Sequence, residues 1–168
     1  KTAEMTRGLD RIAADGLRLN NMHTTALCSP SRSCIVTGRN HHSNGMACIT
    51  EFATGYPGYN GVIPFENGML SEMLLEQGYS TFMLGKWHLT PDNQQGFSGP
   101  FDRWPTKLGF DYFWGFLGGE AGQYDPLIAE NQKMVGVPEG KDGEQYYFQD
   151  DLSDRTIDWI HKVRSEKP

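Results

Sequence analysis

Three cysteines in 168 residues are an odd number and too few for a disulfide scaffold. Cys34 and Cys48 are therefore expected as small buried hydrophobes. The chain has no apolar run of about 18 residues, the length of a membrane-crossing helix. It has no block of Lys and Arg, and its net charge of -6 is spread along the sequence. Nucleic-acid binding thus has no electrostatic support, and any anion must be drawn in by local groups. Internal repeats and low-complexity tracts are absent. The opening stretch KTAEMTRGLDRIAADG is charged, lacks the apolar core of a signal peptide, and lacks an initiator Met. The missing Met points to a piece of a longer product.

What is present is glycine, at 20 residues, and an aromatic content of 12%. With 38% hydrophobic residues the expectation is a loop-rich globular piece of one domain. Leu9, Ile12 and Ala13 recur at helical spacing, with Thr6 as cap and Gly16 as stop. LRLNNMHTT then reads as a short strand. Pro30 suits a first helical turn with Ser29 as its cap, and that helix should pass Ile35 and stop near Gly38. Positions 45–68, dense in Gly and Pro, form a long loop.

Asn67 is expected to cap a helix whose Leu70, Met73 and Leu74 face inward and which ends at Gly78. Tyr79 to Leu84 reads as a buried strand. Positions 91–149 read as irregular. The last segment is an amphipathic helix with Leu152, Thr156, Trp159, Ile160 and Val163 on one face, closing in basic residues and Pro168. The alternation of strand and helix predicts an α/β fold with a parallel or mixed sheet flanked by helices.

Two constellations carry chemistry. In CSPSRSCIVTGR, Cys28 falls at the N-terminal mouth of the expected helix, where free N–H groups and the positive dipole end attract anions and favour a thiolate. Arg32, four residues on, falls on the same side of the first turn. A buried Cys beside a structural Arg is the plainer alternative. The spacings Cys28–Arg32 and Cys34–Arg39 are both too short for a tyrosine-phosphatase loop. In GYSTFMLGKWH, Lys86 and His88 alternate at the end of an apolar strand and so point together, with Trp87 turned toward the core. Ligands of open α/β sheets bind at such carboxyl ends. Lys86 suits a point-charge contact to an anion, and His88 exchanges a proton near neutral pH.

Both stretches resemble the sulfatase signatures, Cys-x-Pro-Ser-Arg followed by Thr-Gly-Arg, and Gly-Tyr-x-Thr followed by Gly-Lys-x-His. GRNHHSNGMACITE is similar to the bacterial arylsulfatase subgroup, and LGFDYFWGFLGG to a Gly-Phe-Asp stretch of the same family. The resemblance implies an alkaline-phosphatase-like fold. It implies that Cys28 is oxidised to Cα-formylglycine by a formylglycine-generating enzyme, with Cys28, Pro30 and Arg32 forming the modification signal. The hydrated aldehyde at Cys28 would be the nucleophile toward a sulfate ester and a ligand of a Ca²⁺ or Mg²⁺ ion. Arg32 would stabilise that centre, Lys86 would hold the formylglycine and the substrate sulfate, and His88 would assist proton removal.

The family's remaining ligands come from a strand before Lys1 and from segments beyond Pro168. Residues 1–168 are thus expected to be the N-terminal portion of a sulfatase catalytic domain, lacking its first strand and C-terminal half. Alone they should be inactive until the remainder of the chain completes them. A phosphonate or phosphate monoester hydrolase, or a non-catalytic remnant that binds a partner, are the alternatives. No membrane partner is expected, and the compartment, bacterial cytoplasm or periplasm, stays open.

His41 and His42 diverge on most backbones and are assigned to loop packing ahead of metal binding. His23 and His161 are assigned structural or exposed positions. Arg39 is expected to brace the helix that starts at Cys28. Thr37 and Gly38 are expected to end that helix, and Tyr124 is a candidate for the substrate rim. Asp150–Asp151 is the only adjacent Asp pair, and it opens a helix, so no ligand role is carried to it.

Overall fold

The structure is a computed structural model that describes residues 6–164. The close expected at Pro168 lies outside the described residues. Among the described residues four α-helices occur, α1 (Arg7–Asp15), α2 (Cys28–Thr37), α3 (Leu70–Glu76) and α4 (Phe148–Val163). Four strands, β1 (Phe82–Lys86), β2 (Tyr112–Phe116), β3 (Ile128–Glu130) and β4 (Lys133–Val135), form one sheet in the order β1-β2-β3-β4. The β1–β2 pair is parallel, and the β2–β3 and β3–β4 pairs are antiparallel. The fold is therefore α/β with a mixed sheet flanked by helices.

Alternation along the strands buries both faces. Phe113 and Met83 join one cluster with Trp87, Trp104, Met46 and Met69. Trp114 and Leu84 join the other, with Tyr146, Phe148 and Leu152. Val36 of α2 packs on the first cluster, so α2 and the long loops cover one face and α4 covers the other. Asp151 of α4 fixes this second layer. Its carboxylate accepts from Trp114 Nε1 at 2.8 Å, Tyr146 Oη at 2.8 Å and Arg155 Nε at 2.9 Å. The Arg155 guanidinium lies 3.4 Å above the Trp114 ring, and Tyr112 stacks on Trp159 at 5.1 Å.

Several local expectations change. α1 forms, but Leu9 and Ile12 are 68% and 71% exposed, so its apolar stripe meets no partner. The Thr6 hydroxyl donates to Asp10 and does not cap the helix. LRLNNMHTT pairs with no strand and is exposed, because a strand needs a neighbour to hold its ladder. α2 begins at Cys28, with Leu27 as its extended N-cap. Ser29 is buried inside it and is no cap, while Gly38 ends it at φ 69 as expected. Cys34 and Cys48 are half-buried rather than buried.

Asn67 does not cap α3. The helix starts after Met69, whose N–H donates to Glu72 at 2.7 Å, and Leu70 and Met73 point to solvent while Met69 takes the core position. Asn67 instead donates to Asn44 Oδ1 and the Ser43 carbonyl. β1 starts at Phe82 because the Tyr79 N–H is spent on the Leu74 carbonyl, closing α3 at Gly78. Positions 91–149 contain three strands, with a tight β3–β4 turn at Asn131, φ 54. On α4, Ile160 is 50% exposed and leaves the expected face.

Candidate active site

The parallel β1–β2 pair decides where the site lies. Both strands end at one edge of the sheet, in the register Lys86↔Phe116. The ladder continues past the strands, with Trp87 N–H on the Phe116 carbonyl at 2.9 Å and His88 N–H on the Leu117 carbonyl at 3.1 Å. Trp87 turns into the core, 1% exposed, edge-on to Phe110. His88 follows at φ 56, a left-handed conformation that side chains other than glycine avoid and that clusters at functional sites. His88 thus leaves the strand with its backbone turned.

Lys86 Nζ donates to the Gly119 carbonyl beyond β2. His88 Nε2 meets both oxygens of Glu51, at 2.9 and 2.8 Å. A Cβ on Gly119 would lie 2.9 Å from Glu51 Oε1 and 3.1 Å from His88 Cε1. Lys86, His88 and Glu51 thus converge on one glycine. Arg32 Nη1, reaching from the second turn of α2, donates to the Lys86 carbonyl. Cys28 and Arg32 line one cleft of about 420 Å³ together with Ser31, Met83, Trp87 and Leu89. The structure therefore bonds Arg32 to the backbone of Lys86, sets Lys86 and the His88–Glu51 pair against Gly119, and places Cys28 with Arg32 in the cleft.

The electrostatics follow from burial and neighbours. Burial lowers the His88 imidazole below its ordinary range. Glu51 opposes this through its hydrogen bond and charge, and the cations Lys86 and Arg32 add to the lowering. Burial works to raise the Glu51 carboxyl, but His88, a backbone bond and Thr50 outweigh it and hold the carboxyl low. Glu51 is then ionised and His88 neutral at neutral pH. Burial lowers the Arg32 guanidinium against the charge of Cys28.

Other expected residues sit elsewhere. Arg39 Nε donates to the Asn67 carbonyl at 3.0 Å, and Asn44 Nδ2 to Thr37 Oγ1 at 2.9 Å, which ties the C-terminal end of α2 to the turn before α3. His41 and His42 pack ring to ring at 4.4 Å, and His42 Nε2 meets Tyr59 Oη at 3.3 Å. His23 bonds Asn21, and Tyr124 packs against Tyr147. Asp151 is engaged in the α4 anchor. Among the described residues no group of three or more His, Cys, Asp and Glu side chains gathers to hold a metal ion. The donors present do not by themselves fit a cation. Glu51 and Gly119 escaped the sequence reading, because one carboxylate in a 24-residue loop and one Gly of a Gly-Gly pair carry no local mark.

A family model described as Sulfatase matches residues 1–168. This chain belongs to the sulfatase family. It is 36% identical over 144 residues to an uncharacterized sulfatase of Schizosaccharomyces pombe, covering 79% of this chain and 24% of that protein. It is 32% identical over 167 residues to the N-acetylglucosamine-6-O-sulfatase of Bacteroides thetaiotaomicron, covering 97% and 24%. Against mouse arylsulfatase J the identity is 39% over 131 residues, covering 78% and 20%. The chain thus spans about a quarter or less of the length of these relatives. Among solved structures, the PsFucS1 sulfatase of Pseudoalteromonas sp. superposes with a TM-score of 0.66 at 20% identity, covering 96% of this chain and 36% of that one. That likeness places the sheet and its helices within the alkaline-phosphatase-like fold of sulfatases.

Proposed function

We propose that this sulfatase-family chain is the N-terminal portion of a catalytic domain that hydrolyses sulfate esters, with Cys28 converted to Cα-formylglycine. The carrying observation is the bond from Arg32 to the Lys86 carbonyl, with Lys86 and His88 both set against Gly119, at the carboxyl ends of the only parallel strand pair among the described residues, and Cys28 in the cleft with Arg32. Open α/β sheets bind ligands at that edge. When formed by a formylglycine-generating enzyme, the aldehyde hydrate supplies an oxygen nucleophile toward sulfur.

The chain's own residues do the rest. Arg32 keeps a fixed positive charge beside residue 28 while its bond to the Lys86 carbonyl fixes the end of β1. Lys86, held by the Gly119 carbonyl, offers remaining N–H donors to a sulfate oxygen. His88, buried and neutral, takes the proton released when sulfate departs. The remainder of a sulfatase chain completes the site, and a Ca²⁺ or Mg²⁺ ion would need donors from there; no step above runs through it.

Peptide mass spectrometry across Cys28, after co-expression of the full-length enzyme with the formylglycine-generating enzyme, is the direct test. The expected peptide is lighter than the cysteine form by replacement of sulfur and two hydrogens with one oxygen. The same enzyme should turn over aryl sulfates faster than matched phosphonate or phosphate monoesters. An unmodified thiol with no turnover would leave only a partner-binding role. Faster phosphonate turnover would move the reading to that ester class.

A further inference from the structure

We infer that Glu51 is a positioning residue: its carboxylate holds the Nε2 proton of His88 and so fixes the tautomer and orientation of the ring. The inference rests on the reading of His88 as the proton-transfer group and adds what controls it. Both Glu51 oxygens lie within hydrogen-bond range of Nε2, at 2.9 and 2.8 Å. An ionised carboxylate only accepts hydrogen bonds, so Nε2 must carry the hydrogen. In neutral imidazole the other nitrogen is then bare. Nδ1 is that nitrogen; it is buried and has no hydrogen-bond partner in the protein. A buried polar atom without a partner is costly to maintain and calls for an explanation. The bond from Nε2 to Glu51 accounts for which nitrogen of the ring is left bare.

The surroundings support positioning over a casual surface contact. His88 is 1% exposed and Glu51 34%, so the ring is enclosed while the carboxylate closes it from the solvent side. The ring is set from the backbone by φ 56 and by the His88 N–H bond to Leu117. Glu51 sits in a short 3-10 turn, Thr50–Phe52, whose Thr50 is 3% exposed and donates to Glu51 Oε2 at 3.2 Å. Gly119 leaves room for the pair, since a Cβ there would press on both partners. The charged groups facing His88 are Glu51, Lys86 and Arg32. Two cations and burial depress the imidazole, and Glu51 is the one group that opposes them. Without it, His88 would be a weaker base in a free orientation.

The test uses the full-length, modified enzyme with Glu51→Gln and Glu51→Asp. His88 acts as a base when neutral, so the rate falls as pH drops through its pKa. Glu51 holds that pKa up, so E51Q should move the acid limb of the pH–rate profile to lower pH. Its kcat should fall about 10–100-fold, as for loss of the hydrogen-bond partner behind a metal-bound histidine, with KM little changed. E51D keeps the charge and should keep the limb near wild type. Independently of turnover, ¹⁵N NMR should find His88 in the Nε2–H form in the wild type. In E51Q it should find a mixture of tautomers titrating at lower pH.

A wild type in the Nδ1–H form would overturn the inference. So would an E51Q variant whose limb and tautomer match wild type, even if its stability drops. If the NMR outcome is met while the wild type hydrolyses no sulfate ester, the positioning stands and the sulfatase reading of the site falls.

Discussion

Asp151→Ala should destabilise the protein by about 4 kcal/mol, against the roughly 5–15 kcal/mol stability of a folded domain. Its carboxylate accepts three hydrogen bonds, and the donors differ in what they lose. Trp114 and Tyr146 are 4% and 7% exposed, so their N–H and O–H would be stranded away from water. Each stranded donor costs about 1–3 kcal/mol. The Arg155 side chain is 31% exposed and can reach solvent, so its ion pair adds less than about 1 kcal/mol. Water entering the gap relieves part of the total. With a urea slope of about 2 kcal/mol/M, the midpoint should fall by about 2 M. Asp150 is exposed, and Asp150→Ala should cost under about 1 kcal/mol. Equal shifts for the two variants would refute the anchor role. A Ca²⁺-induced rise of the wild-type midpoint that disappears in D151A would refute it as well, by making Asp151 a ligand.

Gly119→Ala should lower turnover about tenfold while shifting stability by less than about 1 kcal/mol. Its Cβ meets the movable end of Glu51 at 2.9 Å, so the Glu51–His88 pair yields before the fold does; turnover and urea midpoint measured on one preparation would reveal unchanged activity, the contrary result. Alkaline pH gives a second check. Burial first, then the charge of Glu130, pushes Tyr112 up to about 12 from its ordinary 10, and burial with Asp151 raises Tyr146. A raised folded pKa stabilises the protein below the unfolded value, and that contribution is lost as pH climbs through the folded one. Stability should therefore decline above about pH 10, and ultraviolet titration should find two tyrosines ionising late; normal ionisation of all of them would contradict the buried network.

Local chemistry was legible and tertiary partnership was not. Gly38 and Gly78 ended their helices where the sequence said, because a left-handed turn is a property of the residue itself. Trp87 was legible as core from its place between two polar neighbours on a strand end. Glu51 was invisible, because its partner His88 lies 37 positions away. β2 was missed because a short central strand rich in aromatics carries no alternation, and β3 and β4 because three residues are too few to show a period. The faces assigned to α1, α3 and α4 failed in part, because periodicity says which residues share a side and not whether anything covers it.

The same logic explains why the site can be trusted to sit at one edge. Lys86 and His88 meet Gly119 only if β1 and β2 keep their register, since a one-residue slip would turn every side chain to the opposite face. That register is pinned at both ends and in the middle. At the start, Thr81 N–H donates to Asp111 Oδ2 at 2.9 Å, and Asp111 N–H to the Thr81 carbonyl at 2.8 Å. In the middle Gly85 faces Gly115, where a Cβ on Gly115 would lie 1.9 Å from the Gly85 oxygen, so a slip that brought any other residue there would clash. From the far side Asn131 closes on both backbone groups of Phe113, at 2.9 and 3.0 Å. At the exit, the Trp87 and His88 N–H groups lock onto Phe116 and Leu117. The position of His88 is thus a consequence of strand pairing. The loop that carries Glu51 only has to find a histidine already in place.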